Sequence, residues 1–426
     1  MITLQERVHA APKPNGWQFD KLHHVFRVRR GNKNTGMKEE NLLSLSYGRI
    51  IPKDIETSEG LLPENFEGYQ IVENGNIVLR LTDLQNDKRS LRQGLVTQRG
   101  IITSAYDAVE IQRDNDPRFW FYSLLALDLA KHYYSLGGGV RQSVKFADFP
   151  NDWVYRPDLP TQRAIANFLD RETARIDLLI EKKQRLVALL GEKYKAEKKR
   201  LVFDLDNQSV ERSASTVSWF PDIPKHWRFM RCAHIFNNLD YRRIPLSSEQ
   251  RGDLAKIYPY YGASGIIDAV DDYLFDGDTI LVGEDGANLV MQSTPIAFKA
   301  SGKYWVNNHA HILTPRFGNF DYWIHALNQV PYEVFVTGSA QPKLTSAVLG
   351  NIRLPVPPKD EQEKIAQKIE MMGQRVNTAI EPISASIDRL KEYRSALITA
   401  AVTGQIDVSI YAKSGVTHRF LDKLEK

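Results

Sequence analysis

The sequence predicts an α+β fold made by tandem duplication. A mixed α/β domain is followed by a long helix, then a second such domain and helix, with the two helices packed as an antiparallel coiled coil with pseudo-twofold symmetry. Three observations predict it. The stretch LPTQRAIANFLDRETARIDLLIEKKQRLVALLGEKY returns in the second half as KDEQEKIAQKIEMMGQRVNTAIEPISASIDRLKEY, in register at Gln162 and Gln362, Ile165 and Ile365, Ala166 and Ala366. Each half also opens alike, with PNGWQFDKL at residues 14–22 and IPKHWRFMR at 223–231 aligned on Trp17 and Trp227. Within each half a glycine turn feeds a strand, VENGNIVL at 72–79 and LFDGDTIL at 274–281.

The elements follow in order. Residues 1–157 form the first domain, 158–203 the first long helix, 204–220 a Ser-, Asp- and Asn-rich tether, 221–357 the second domain and 358–403 the second helix. Residues 404–426 are a tail expected to be marginally ordered. Prolines set both helix starts: IRLPVPP forbids helix until about Lys359, and Pro157 and Pro160 do the same in the first copy.

At 426 residues the chain is too long for one core, and 42% apolar residues suffice for two. A lone Cys232 excludes an intrachain disulfide and any thiolate metal cage. No run of about 18 apolar residues occurs, and the start has no leader pattern, so a cytoplasmic protein is expected. The net charge of +4 is mild, but residues 163–200 are basic and 268–285 acidic, which permits nucleic-acid binding without requiring it.

Both helices carry an apolar seam at alternating three-and-four spacing. In the first it runs through Ile165, Leu169, Ile176, Leu179, Leu186 and Leu190 to Tyr194. In the second it runs through Ile365, Ile369, Met372, Val376, Ile380, Ile383, Ile387, Leu390, Leu397 and Ala401. Laid antiparallel the stripes satisfy each other, and about 35 helical residues would span about 50 Å, more than the roughly 34 Å of one DNA turn. Pro382 predicts a bend or local break near Glu381.

Reacting groups are absent from the expected patterns. There is no GxxxxGK phosphate loop, no GxGxxG after a strand, and no Asn-Pro-Pro-Tyr or Asp-Pro-Pro-Tyr tetrapeptide. His309 and His311 alternate on one strand face, but no third ligand is spaced for a metal, so a hydrogen-bonded pair is expected. Asp276, Asp278, Glu284 and Asp285 lack calcium-loop spacing, and Cys232 reads as core rather than nucleophile. No metal and no catalytic residue is assigned.

The order of these motifs resembles the specificity subunit of a type I restriction-modification enzyme. The likeness rests on GWQFDKL and PKHWRFM opening each half, LLSLSYGRI at 42–50, YPYYGASGIID at 258–268, FDGDTILV at 275–282, the two helix starts, and LKEYRSALITAAVTGQIDV at 390–408. The resemblance implies two target recognition domains, each reading half of a split DNA sequence, with the helices as a ruler for the unread spacer. It also implies a noncatalytic chain that positions two adenine methyltransferase subunits, and in some complexes two restriction/translocase subunits. S-adenosylmethionine would then belong to the methyltransferase, and ATP and Mg2+ to the restriction partner. A modification-only complex, or a duplicated protein-interaction scaffold without sequence-specific DNA binding, are the alternatives. The first helix departs from the pattern, with Lys198 and Lys199 where the second has Leu397 and Ile398, which bears on whether its two docking surfaces are equivalent.

Side chains suited to base edges and phosphates gather after the first glycine turn: Arg80, Gln85, Lys88, Arg89, Arg92, Gln93 and Arg99, with Arg141, Gln142 and Lys145 later. The second domain offers Lys299, Lys303, Asn307, Asn308 and His309, with Gln341 and Lys343. Tyr260 and Tyr261 are read as packing residues, and Gly262 and Gly265 as a tight turn. Unlike interiors on a shared frame imply unlike half-sites and an asymmetric bipartite target.

Overall fold

The computed structural model describes residues 12–56, 65–84, 91–136, 143–205, 209–215, 217–252, 254–336 and 342–415, together with Thr3, Leu4, Glu6, Pro63 and Asn207. They divide into two compact units, Met1–Arg185 with Ile383–Lys426, and Leu186–Pro382.

The two units repeat one plan. In the first, a four-stranded antiparallel sheet runs in the order Phe26–Val28, Asp107–Ile111, Ile77–Leu79, Gln93–Leu95; in the second the order is Phe236–Asn238, Ala310–Pro315, Thr279–Gly283, Ala297–Ala300. The opening strands Gln18–Lys21 and Arg228–Arg231 each pair with the strand that precedes a long helix, Trp153–Arg156 and Arg353–Val356. A short helix backs each sheet, α1 at Pro117–Leu129 and α3 at Phe320–Leu327, and the long helices are α2, Leu159–Val202, and α4, Lys359–Val402.

The short helices begin where a side chain caps free N–H groups. Asp116 accepts from the Arg118 N–H with Pro117 at the first helical position, and Asn319 accepts from the Tyr322 N–H. The paired glutamines then clamp helix to helix. Gln162 Oε1 accepts from the Asp116 N–H at 2.8 Å while its amide donates to the Pro157 carbonyl at 2.9 Å. Gln362 repeats both bonds, to the Asn319 N–H at 2.8 Å and the Pro357 carbonyl at 2.9 Å. One buried glutamine per half therefore fixes the angle between short and long helix.

The seam packs antiparallel within each unit. In the first, Ile165, Leu169 and Ile176 of α2 share a core with Leu390, Leu397, Ile398 and Ala401 of α4, and Arg394 Nε donates to Asp177 at 2.8 Å. In the second, Val202 and Phe203 share a core with Ile365, Ala366 and Ile369, and the Tyr194 hydroxyl sits so close over Gly373 that a Cβ there would meet it at 3.1 Å. Where the other unit buries Leu397 and Ile398, Lys198 is half-buried and Lys199 exposed. Ile387 is buried, while Leu179, Leu190, Met372, Val376, Ile380 and Ile383 are half-buried. Leu186 is a correction: it is 45% exposed. A straight helix drifts from strict heptad spacing, so the half-buried positions run Leu179, Lys183, Val187, Leu190, Tyr194.

Three other expectations are corrected. Pro382 does not break α4, which is one helix from end to end with this proline exposed, so the lost N–H bond faces water. The tether is anchored: Ser213 pairs with Ile223, and Val217 and Phe220 are buried in the second unit's core. The tail contributes a helix, α5 at Val408–Ser414, capped by Asp407, and Tyr411 packs edge-on against Phe168; residues 416–426 lie outside the described residues. Among the described residues no helix is long and apolar enough to cross a membrane.

Burial, with Lys198 nearby, pulls the His325 imidazole down to about 3. An unfolded histidine titrates near 6.5, so the unfolded chain takes up its proton first and stability falls as pH drops from about 6.5 toward 3. His325→Phe is expected to flatten that part of the curve, as read from denaturation midpoints at pH 7.5 and 4.5.

Candidate nucleic-acid interface

In the second unit, the strand Tyr258–Gly262 runs parallel to Lys303–Val306, so both end at the same edge of their sheet. The first leads into a hairpin turn and returns as Gly265–Val270; the second leads into residues 307–309. Turn and loop are therefore neighbours. The Asn307 N–H donates to the Tyr261 carbonyl at 3.0 Å, and a Cβ placed on Gly262 would meet Asn307 Nδ2 at 3.5 Å and Ile267 Cγ2 at 3.0 Å. Gly283, at the end of the adjacent sheet, is backed by the Ala263 carbonyl, which a Cβ would meet at 2.9 Å.

A charged network fixes this end of the unit. Arg243 Nη1 donates to Glu284 Oε2 at 2.5 Å, to the Ala310 carbonyl at 2.9 Å and to the Asn308 carbonyl at 3.4 Å, while its Nε donates to the Asp240 carbonyl at 3.2 Å. Glu284 also receives Lys343 Nζ at 3.3 Å, and Asp285 bridges Lys343 through the backbone and holds His309 Nδ1 at 2.6 Å. His311 is buried, with Nδ1 at 2.6 Å from Asp240 and Nε2 at 2.8 Å from the Leu344 carbonyl. Burial works against the Asp240 carboxylate, but bonds from His311, the Ile312 N–H and Asn238 outweigh it and hold its pKa below the ordinary value. The acids lie inside, with Lys343 at 54% and His309 at 45% side-chain exposure outside them.

His309 and His311 thus bond to separate carboxylates rather than to each other, and among the described residues no group of three or more His, Cys, Asp or Glu is placed to hold a metal ion. Cys232 is buried and burial pushes its thiol up, which suits a core residue. Tyr260 is buried as read, with Arg251 over its ring at 4.8 Å.

The structure brings together Asn307, Asn308, His309 and Lys343, of which Asn307 is buried. Lys299 and Lys303 stand apart, flanking the turn at 301–302 at the far end of strand Lys303–Val306. Lys299 pairs with Asp278 at 2.6 Å, and Lys303 lies 4.4 Å from the Tyr273 ring centroid. Gln341 is outside the described residues.

In the first unit two candidates are corrected. Arg92 and Gln93 have no exposed surface. The Arg92 guanidinium donates to the Tyr134 hydroxyl at 3.3 Å and the Thr82 carbonyl at 3.2 Å, and its backbone N–H to Asp128 at 2.6 Å. It is a structural arginine, and Arg92→Ala is expected to cost about 3 kcal/mol of stability by leaving a cavity and unpaired acceptors, measurable by urea denaturation. Arg99 is exposed but paired with Glu39 at 2.9 Å and Glu73 at 2.6 Å, and Arg80 is half-buried beside Tyr106. Lys145 is exposed; Gln85, Lys88, Arg89, Arg141 and Gln142 lie outside the described residues.

Sequence reasoning passed over the corresponding edge of this unit. The hairpin Leu43–Ser46 and Arg49–Pro52 turns at Tyr47 and Gly48, both at positive φ, and Leu42 bridges Ile101 in parallel, just before residues 103–106. Tyr47 is 82% exposed and pays roughly 1 kcal/mol for a left-handed backbone. The clue was LLSLSYGRI, whose Tyr-Gly turn matches the place of the glycine turn at 262–265.

Comparison with known proteins bears on this edge, because residues 224–388, which contain its second copy, match the Type I restriction modification DNA specificity domain. That segment is similar to the type I specificity domain family. A type I restriction enzyme specificity subunit of Haemophilus influenzae is 33% identical over 159 residues, covering 37% of this chain and 38% of that protein. The EcoprrI specificity subunit of Escherichia coli is 27% identical over 133 residues, 31% of this chain and 32% of that one. The chain thus spans about a third of the length of these curated relatives in alignment. A chain from a solved type I R-M system has a similar fold across 93% of this chain and 100% of that one, at 15% identity and a TM-score of 0.61. Both domains and the two long helices are thus part of the fold shared with that chain.

Proposed function

We propose that the chain is a noncatalytic DNA sequence-recognition subunit that reads an asymmetric bipartite target, one half per domain. The observation that carries this is the duplicated edge: a hairpin turn lies beside the end of a parallel-paired segment in each unit, Tyr47 and Gly48 beside residues 103–106 in one, and Ala263 and Ser264, followed by Ile266 and Ile267 on the return strand, beside residues 307–309 in the other. One frame holding unlike side chains suits two different half-sites. The helices α2 and α4 set the unread spacer. Two adenine methyltransferase subunits are the partners, each extruding its target base into its own pocket and drawing the methyl group from S-adenosylmethionine. Restriction subunits using ATP and Mg2+ join where the complex also cleaves.

The test is methylome sequencing of cells with and without this gene. The expected result is loss of one modified motif with two unequal halves and a fixed gap; no lost motif, or a palindromic one, overturns the reading.

A further inference from the structure

We propose that Ile266 and Ile267 are an apolar base-reading element of the second domain, seated against thymine 5-methyl groups in the major groove. The proposal rests on the DNA-reading function above and names side chains for it.

Three observations lead to it. First, register shifts between Tyr260 and Tyr261: Tyr260 faces Asp268 while Tyr261 faces Ile266, which leaves Ile267 as the extra residue of a β-bulge. A bulge turns consecutive side chains away from strict alternation, and here it leaves both isoleucines in water, 61% and 55% exposed. Second, the strand that bears them is the outer strand of its sheet, in the order Gly265–Val270, Tyr258–Gly262, Lys303–Val306, Phe275–Asp276. An edge strand with adjacent exposed isoleucines is an aggregation hazard unless they have a use. Third, parallel pairing of Tyr260 with Trp305 and Tyr261 with Val306 delivers this tip to the same edge as Asn308, His309 and Lys343.

Chemistry selects DNA over a protein surface. The polar side chains that reach solvent at this edge are Asn308, His309 and Lys343, whereas Glu284 and Asp285 are held inward by Arg243, Lys343 and His309. Behind the tip, Arg251 and Lys256 pair with Asp268 and hold its carboxyl well below the usual carboxylate range, so the hairpin base is neutralised and firm. The outward Lys343 suits a phosphate, and the exposed isoleucines beside the turn suit the thymine methyl, the one methyl group on a major-groove edge. In the first unit the turn instead presents Tyr47, so the two domains would differ in this contact.

The full-length chain, purified in complex with its co-expressed partner subunits, is titrated with duplexes carrying its methylated motif. Deoxyuridine replaces thymine in one half-site at a time, removing only the methyl groups. Burying a methyl is worth about 0.8 kcal/mol, so for two contacts the wild type should bind one of the two deoxyuridine probes about tenfold more weakly. Ile266→Ser with Ile267→Ser should bind the thymine probe about tenfold more weakly and lose nothing further on deoxyuridine in that half-site. Valine at both positions should restore most of the difference. Wild type indifferent to deoxyuridine in both half-sites, or a serine variant that still loses tenfold, overturns the proposal. So does a variant with intact DNA selectivity that no longer retains its partner subunits, which would mark the tip as a protein-docking surface. Failure of the DNA-reading function itself looks different: neither protein would prefer the motif over a scrambled duplex.

Discussion

Arg243→Ala should erase discrimination within one half-site and leave the other intact. This one guanidinium joins the carbonyls of Asp240, Asn308 and Ala310 to the Glu284 carboxylate, so three segments, around residues 240, 284 and 308–310, depend on it. Without it Glu284 keeps the longer approaches of Lys343 at 3.3 Å and His311 at 3.7 Å, and the 308–310 segment loses two anchors. Truncating one member of a buried ion pair costs about 2–5 kcal/mol, and the lower figure would weaken reading of that half-site roughly thirtyfold. Arg243→Lys should be intermediate, because one ammonium cannot span the same acceptors. Binding to probes altered one base pair at a time checks this, with denaturation midpoints to show that the unit still folds. Equal loss across both half-sites would assign Arg243 to general phosphate attraction.

Removing residues 181–187 from α2 and 381–387 from α4 should shorten the unread gap by about three base pairs. Seven residues are two helical turns, so each apolar seam re-forms in phase, with Ile180 leading to Leu190 and Ile380 to Leu390. The lost length is about 10 Å at 1.5 Å per residue, and a duplex rises about 3.4 Å per base pair. Methylome sequencing of the double-deletion strain reads the gap directly, and an unchanged gap refutes the ruler.

Local chemistry made much of this fold legible. Prolines marked where both long helices begin, glycine turns marked strands, and paired Trp17 and Trp227 marked equivalent starts. Gln162 and Gln362 stood in register because both perform the same two-bond clamp. Arg92 and Gln93 misled because polar type was taken for exposure, and only the fold shows that the Arg92 guanidinium meets Tyr134 and Thr82 inside. Arg243 went unnoticed because Glu284 and Ala310 come close only after three loops converge. Leu186 fitted a heptad that a straight helix does not keep, and Pro382 was tolerated because its missing bond points to water.

The division of the chain has a consequence for its synthesis. Residues 186–382 are contiguous, so that unit can complete its core while the ribosome is still at work. The other unit is interrupted: Leu4, Trp17 and Ile165 share a core with Leu397 and Val402. What is translated first is finished last, and until the second half of α4 emerges, the early segment must wait with its apolar face open to chaperones and proteases.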